Sequence, residues 1–403
     1  MSGTICGMFM ALDSPEAVPV PLVHGFADEF ARRMTALGGL TPPVRYGKTF
    51  TLVHDPLVWR TVADAMLAEA GVRTVLHSMA TEVLLEGGER VAGVQASTKQ
   101  GKVQIEAAVT VDATGDADLS AMAGFPTTIG RSGVVQNPTM IFRLQGVDVP
   151  AFRTAYGPDT IMGEAVSRMI VARNASGEYR LPRAKVFLFP TPRDGELLCN
   201  CTRIRGADGR ELNSLIERDF TEAEIEGRRQ VGEYARFFRD HLVGCERSWI
   251  NDTGVQVGIR QSRQVAGVRT LSNQDVTSGA KFASGVARSA WPIELHSGAK
   301  PRLEWLVDDY YEIPYECFVP ERGESLLTTG RCLSAEHEAM ASARVTAQCF
   351  SYGHAIGHAA AVAVRDRVAP RQIDGAALRA ILNLDGANLG SVSLRSPRPV
   401  PER

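Results

Sequence analysis

Between Asp55 and Met122 the spacing of apolar positions changes period several times. Leu57, Val58, Val62, Ala65 and Met66 fall on one face of a helix. Asp55 precedes that helix as N-cap, Pro56 takes its first position, and Gly71 ends it. The apolar run "VRTVLH" (72–77) then reads as a short buried strand. "TEVLLEGGERVAGVQA" predicts a hairpin around Gly87-Gly88. "GKVQIEAAVTVDATG" adds a strand pair with a turn at Gln100-Gly101. Its last strand, Val109 to Val111, stops at Asp112. Thr114-Gly115 then turn the chain into a helix opened by Asp116 and Asp118. Helix, strand, antiparallel meander, returning strand, turn and helix make an α/β core that carries a β insertion.

The pattern changes over residues 136–319. "MIFRLQG" and "KVFLFPTP" read as strands, and "LNSLIERDFTEAEIEGRRQVGEYARFFRDHL" as a long helix with Arg/Glu pairs three or four apart. Such pairs mark a solvated face. From 320 the α/β character returns. "ESLLTTGRC" predicts a strand running into a glycine turn, and "SAEHEAMASARVTAQCFSYGHAIGHAAAVAV" one long helix. Its small residues, among them Ala339, Ser342, Ala343, Gly353 and Gly357, let a helix lie close on a sheet. Gly353-x-x-x-Gly357 has the spacing of a membrane dimer motif, but His354, His358 and Arg365 argue against a bilayer. "GAALRAILNLDGANLG" is a last short helix with a glycine stop.

Composition narrows the function classes. A formal net charge of −2 gives no electrostatic reason for nucleic acid or an anionic membrane as partner. No apolar run is long enough for a membrane span, and the N-terminus lacks a basic region and small-residue cleavage site. Seven cysteines, an odd number without a signal peptide, imply reduced thiols and a cytoplasmic protein. There is no C-x-x-C; Cys199 and Cys201 alternate on one strand, a packing pattern rather than a metal or redox pair.

Five stretches, in order, carry a resemblance. They are "VTVDATGDADLSAMAGFP", "GIRQSRQVAGVRTLSNQDV", "VARSAWPIELH", "YYEIPYECFVP" and "LLTTGRCLSAEHEAMASARVTAQCFSYGHAIGHAAA". With them the chain resembles the FAD-dependent oxidoreductase family of glutathione-reductase-type flavin fold, distant cousins of the fumarate reductase and succinate dehydrogenase flavoproteins. The resemblance implies an α/β, Rossmann-like FAD domain with a small β meander, interleaved from residues 1–135 and 320–403. It also implies an α+β substrate domain from 136–319, and hydride exchange between FAD and a small polar organic molecule.

The same resemblance assigns roles. Thr114-Gly115, with Asp116, would bring backbone close to the ribityl-pyrophosphate of FAD; the alternative is a plain strand-to-helix turn capped by Asp116. Gly330-Arg331 would meet the ribityl chain and phosphates, or Arg331 is a surface arginine. A helix start near Ala341-Ser342 would aim N–H groups at the flavin N1–C2=O edge, with Arg344 fixing that end. Glu336, His337 and Glu338 lie just before it, as flavin contacts or as helix caps. Val83 in the meander is the adenine contact. In "WPIELH", Trp291 and Pro292 form a wall from which Glu294 and His296 project to one side of an extended segment. His296 is then a general base or a structural histidine. Arg260 and Arg263 bind a substrate carboxylate or pin the interface between domains. Tyr311 is a weaker candidate.

One expected motif is missing. No G-x-G-x-x-G occurs in the 403 residues, and "ALGGLTPP" and "RGADGR" have the wrong spacing. In the family, a stretch like "MSGTICGMFM" follows the acidic residue that holds the adenosine ribose, so roughly forty residues are expected before it. Three expectations stand side by side: a truncated or misassigned start, a small companion chain supplying the fingerprint in a hetero-oligomer, or a fold kept after FAD was lost. An FAD-dependent oxidoreductase leads, with a non-catalytic or FAD-sharing subunit as the alternative.

Overall fold

The computed structural model describes residues 3–14, 16–295 and 302–390. It is a mixed α/β protein. Strand Thr110–Asp112 pairs in parallel with Leu326–Thr328, in the register Thr110 to Leu326 and Asp112 to Thr328. Two segments more than two hundred positions apart thus end their strands at one level, and the turns that follow face the same side.

The meander forms as expected: Met79–Glu86, Arg90–Thr98 and Gly101–Glu106 pair antiparallel in that order. Val83 and Val91 pack on Leu119, Phe125 and Leu326, which anchors the meander to the parallel pair. The helix Pro56–Glu69 starts where the Asp-Pro signal puts it, and the Asp55 carboxylate accepts from Leu57 N–H at 2.7 Å. "VRTVLH" differs from expectation. Residues 72–77 form no strand, and Leu76 is 72% exposed. A buried strand needs a neighbour to take its N–H and C=O groups, and no strand pairs here among the described residues.

Residues 140–257 hold a separate core. Four antiparallel strands run in the order Phe187–Pro190, Glu196–Asn200, Phe142–Gln145, Trp249–Thr253. The helix Glu217–His241 packs on this core through Val231, Tyr234, Phe237 and Phe238. Cys199 and Cys201 are buried in the same core and free, like every other cysteine of the chain.

The long C-terminal helix is two helices, His337–Ala343 and Thr346–Asp366. The break is at Val345, whose backbone is extended. Its cost is offset locally: Tyr352 donates its hydroxyl to Ala343 C=O at 2.7 Å, and Thr346 donates to Thr4 C=O at 3.1 Å. Gly353 and Gly357 do not mediate close packing; an added Cβ at either would meet nothing within 4 Å. No helix among the described residues is long and apolar enough to cross a membrane.

His54 gives the fold an acid-sensitive point. It is buried against Trp59, with ring centroids 4.4 Å apart, and neither ring nitrogen has a hydrogen-bond partner. Burial, helped by the Arg143 charge, lowers its pKa from 6.5 to about 3. The unfolded chain therefore binds a proton that the folded chain refuses. The stabilisation is complete above about 6.5 and is lost as pH falls toward 3, at about 1.4 kcal/mol per pH unit. Urea unfolding of the wild type and His54→Phe at pH 7.5, 6 and 5 checks this. The variant is expected to lose less stability over that window by about that slope; parallel pH profiles would show that His54 does not titrate on unfolding.

Candidate functional site

A cavity of about 720 Å³ opens beyond the carboxyl ends of the parallel pair. Both turns line it, through Ala113–Gly115 on one side and Thr329–Arg331 on the other. Ligands of α/β folds settle in such crevices because the turns present free backbone groups there. The helix Thr346–Asp366 presents its first two turns to the same space, through Thr346, Cys349 and Gly353. Its N-terminal N–H groups carry the positive end of the helix dipole toward the cavity.

The first turn is held by two residues that the sequence reading passed over. Asp112 is buried; its carboxylate accepts from Thr114 N–H at 3.1 Å, Thr114 Oγ1 at 2.7 Å and Leu119 N–H at 3.0 Å. Asp112, not Asp116, therefore caps the helix Asp118–Met122. Cys332 Sγ accepts from Gly115 N–H at 3.2 Å and Ala117 N–H at 3.3 Å. Burial, with the nearby Asp112 charge, pushes the Cys332 thiol up to about 12, so it is a fixed neutral anchor. A strand-ending Asp two residues before Thr was visible in the sequence as an Asx turn. The cysteine contact was not, because it crosses more than two hundred positions.

Arg331 lies against this turn. A Cβ built on Gly115 would sit 2.5 Å from Arg331 Nη2, so the glycine makes room for the guanidinium. Gly115 was expected to make room for the cofactor itself; its immediate neighbour is the side chain that faces the cavity. Arg331 Nη2 stands 3.5 Å from Asp116, while Nη1 is buried without a hydrogen-bond partner. Asp116 also accepts from Ser262 Oγ.

A second charged group lines the far wall. Arg260 is buried and Arg344 half-buried, and desolvation lowers the pKa of both. Arg260 donates to Asn137 C=O at 2.6 Å, and Arg344 Nε has no partner. Glu294, on the strand Ile293–Leu295, faces them, with Arg183 Nη2 at 3.8 Å from its carboxylate. Burial first, then Glu294, holds the Tyr46 hydroxyl well above its usual pKa, so it stays protonated. Cys6 and Cys349 line the cavity as thiols, each pushed up to about 11 chiefly by burial.

The remaining predicted residues fall elsewhere. Val83 is a core residue between the meander and Leu326 and does not line the cavity. Ser342 is buried in the helix His337–Ala343, within 2.7 Å of Tyr311 OH and donating to Trp291 C=O at 2.5 Å. The helix start facing the cavity is at Thr346, because the break at Val345 comes after Ser342. His337 is buried outside the lining, and burial lowers its pKa. Arg263 reaches across to the first turn, donating to Asp116 C=O at 3.0 Å and Asp118 Oδ1 at 2.6 Å. It pins two regions together and is not a cavity residue. His296 lies outside the described residues.

Arg263→Ala is accordingly expected to lower stability by about 1 kcal/mol while FAD affinity and turnover stay within about twofold. Thermal unfolding and FAD titration check this. A turnover loss of about a hundredfold in a folded variant would return Arg263 to the reaction.

Paired strand ends, a helix N-terminus and a guanidinium with one unpartnered nitrogen surround one crevice, an arrangement suited to an anionic cofactor in an α/β protein. Residues 1–382 match the model of the FAD dependent oxidoreductase family, and the chain belongs to that family. FAD is its cofactor. The cavity fits it: Arg331 Nη1, Thr329 Oγ1 and Trp291 Nε1 are buried there without partners, and a Cβ at Gly330 would meet nothing within 4 Å.

Several solved structures are similar. A geranylgeranyl bacteriochlorophyll reductase-like protein from Thermoplasma acidophilum shares 13% identity over 94% of this chain and 83% of its own, with a TM-score of 0.41. The flavin-dependent brominase Bmp2 shares 15% over 88% of this chain and 69% of its own, with a TM-score of 0.41. The tryptophan 5-halogenase MibH shares 14% over 94% of this chain, which spans 56% of that protein, with a TM-score of 0.39. No curated protein matches this chain.

Proposed function

We propose that this protein oxidises a small anionic organic molecule, with hydride transfer to FAD, in a glutathione-reductase-type flavin site. The observation that carries the reading is the buried Arg260 and the half-buried Arg344 beside Glu294, the one carboxylate among the described residues that line the cavity. Two guanidiniums kept in low dielectric at a wall of the cavity favour an anion, since a neutral ligand leaves their charge uncompensated. FAD supplies the hydride-accepting centre when bound. Arg331 and the N–H groups of the helix beginning at Thr346 bind its anionic groups. Arg344 and Arg260 hold the substrate carboxylate. Glu294 accepts the proton released from the substrate hydroxyl or amine at its carboxylate oxygen, and Arg183 Nη2 stands 3.8 Å from that carboxylate. Trp291 and Tyr46, stacked 4.9 Å apart, close the wall against water.

Anaerobic bleaching of the flavin absorbance by small hydroxy- and amino-acids and by their neutral amides tests this. The acids are expected to reduce the flavin about a hundredfold faster. Equal rates, or reduction by neutral compounds alone, would overturn the reading.

One observation favours a second reading, in which this chain shares its FAD with a companion chain that brings a G-x-G-x-x-G segment. Strand Thr110–Asp112 pairs with one neighbour among the described residues, and its Val111 is exposed. A paired partner would cover such an edge. Stoichiometric, tightly held FAD in the 403-residue chain purified alone would exclude it.

A further inference from the structure

Away from the FAD cavity, three side chains converge between the last two helices. His354 and His358 are one turn apart on the helix Thr346–Asp366. Asp385 caps the C-terminus of the helix Gly375–Leu384. His354 Nε2 lies 2.6 Å and His358 Nε2 3.0 Å from the same oxygen, Asp385 Oδ2. The rings are 5.2 Å apart and inclined at 53°, and all three ligand atoms lie within 4.8 Å of one another.

We propose that His354, His358 and Asp385 bind one divalent transition-metal ion of the zinc type, leaving one coordination position open to solvent. Two imidazoles and a carboxylate are the donor set that such ions prefer. Bonds of about 2.0 to 2.2 Å meeting at a tetrahedral ion separate the donor atoms by roughly 3.3 Å. The present separations from Asp385, 2.6 and 3.0 Å, are shorter than that, and Asp385 is free to give, since its side chain is 57% exposed. His354 is not free to turn away. Its side chain is 9% exposed, and a Cβ on Gly25 would sit 2.9 Å from its Cε1 and 3.0 Å from its Nδ1. The Gly25 backbone, at φ 73°, thus packs on the Nδ1 edge and directs Nε2 toward Asp385. His358, 31% exposed, leaves the outer side of the cluster to water, which supplies the fourth ligand.

The position gives the ion a role. The helix Thr346–Asp366 lines the FAD cavity through Thr346, Cys349 and Gly353; His354 follows Gly353, roughly 12 Å along the axis from Thr346, and does not line the cavity. An ion there clamps that helix to the end of the last one. It stabilises the fold without touching the cavity.

Cobalt(II) added to the full chain, purified without a polyhistidine tag, tests the site through the visible bands of tetrahedral cobalt. One equivalent is expected to bind, to be displaced by zinc, and to raise the melting temperature. His358→Ala and Asp385→Asn, both at exposed positions, are each expected to weaken binding at least about tenfold and to abolish the thermal shift, with FAD content unchanged. Absence of a cobalt spectrum in the wild type, or equal binding in both variants, would overturn the proposal. Because the readout is the metal spectrum, its failure is distinct from failure of the FAD reading.

Discussion

FAD titrated into Gly115→Val is expected to bind about a hundredfold more weakly than to the wild type, while the variant stays folded. Two costs act at one point. Gly115 has φ 81°, a conformation that a β-branched residue adopts only with strain of about 1 to 3 kcal/mol. A side chain there also occupies the place of Arg331 Nη2, 2.5 Å from the nearest added carbon. Arg331 must then leave the turn, and its Nη1, buried and unpartnered, no longer faces the cavity. A charge-assisted hydrogen bond is worth about 1.5 to 3 kcal/mol, which is one to two decades in affinity. Gly115 N–H also donates to Cys332, so a twisted turn loses part of its anchor. Arg331→Met, which removes the guanidinium and leaves the glycine, separates the two effects and is expected to recover the strain but not the binding. Wild-type FAD affinity in folded Gly115→Val would show that this turn does not hold the cofactor.

The second large effect is expected at Arg344→Met: flavin reduction by an anionic substrate falls by about a hundredfold or more, and the protein becomes no less stable. Arg344 is half-buried, its Nε is enclosed and unpartnered, and its pKa is lowered by desolvation and by Arg331 against the opposing pull of Glu294. A cation so placed works against folding. Replacing it by an apolar side chain of similar length is expected to leave stability unchanged or raise it by about 1 to 3 kcal/mol. Function moves the other way, because the proposed substrate carboxylate loses one of its two guanidinium partners. Urea unfolding and stopped-flow bleaching are the two measurements. A variant that unfolds more easily by several kcal/mol would make Arg344 a structural residue; unchanged reduction rates would remove it from the substrate.

Many elements were legible from local signals. The Asp-Pro start of the helix Pro56–Glu69, the hairpin of the meander, and the long polar-faced helix Glu217–His241 all formed as read. Each depends on neighbours within one element, where capping and periodicity act. The five family stretches carried the family and with it the cofactor, FAD. Thr114, Gly330, Arg331, Arg344 and Glu294 were legible on that ground and do line the cavity.

Tertiary structure decided the rest. The break at Val345 moved the cavity-facing helix start from Ser342 to Thr346, since Tyr352 and Thr4, distant or a turn away, satisfy the freed groups. Arg263 was claimed by Asp118 across more than a hundred positions, and so became an interface pin. Cys332, apolar by sequence context, became the acceptor that shapes the Gly115 turn. "VRTVLH" kept its strand composition but gained no partner among the described residues, and composition without a ladder does not make a strand. The sequence by itself determined which local elements form and which cofactor they meet. Which guanidinium is spent on a carboxylate and which is left facing the cavity was decided only by packing, because that depends on charges brought together from segments that carry no record of one another.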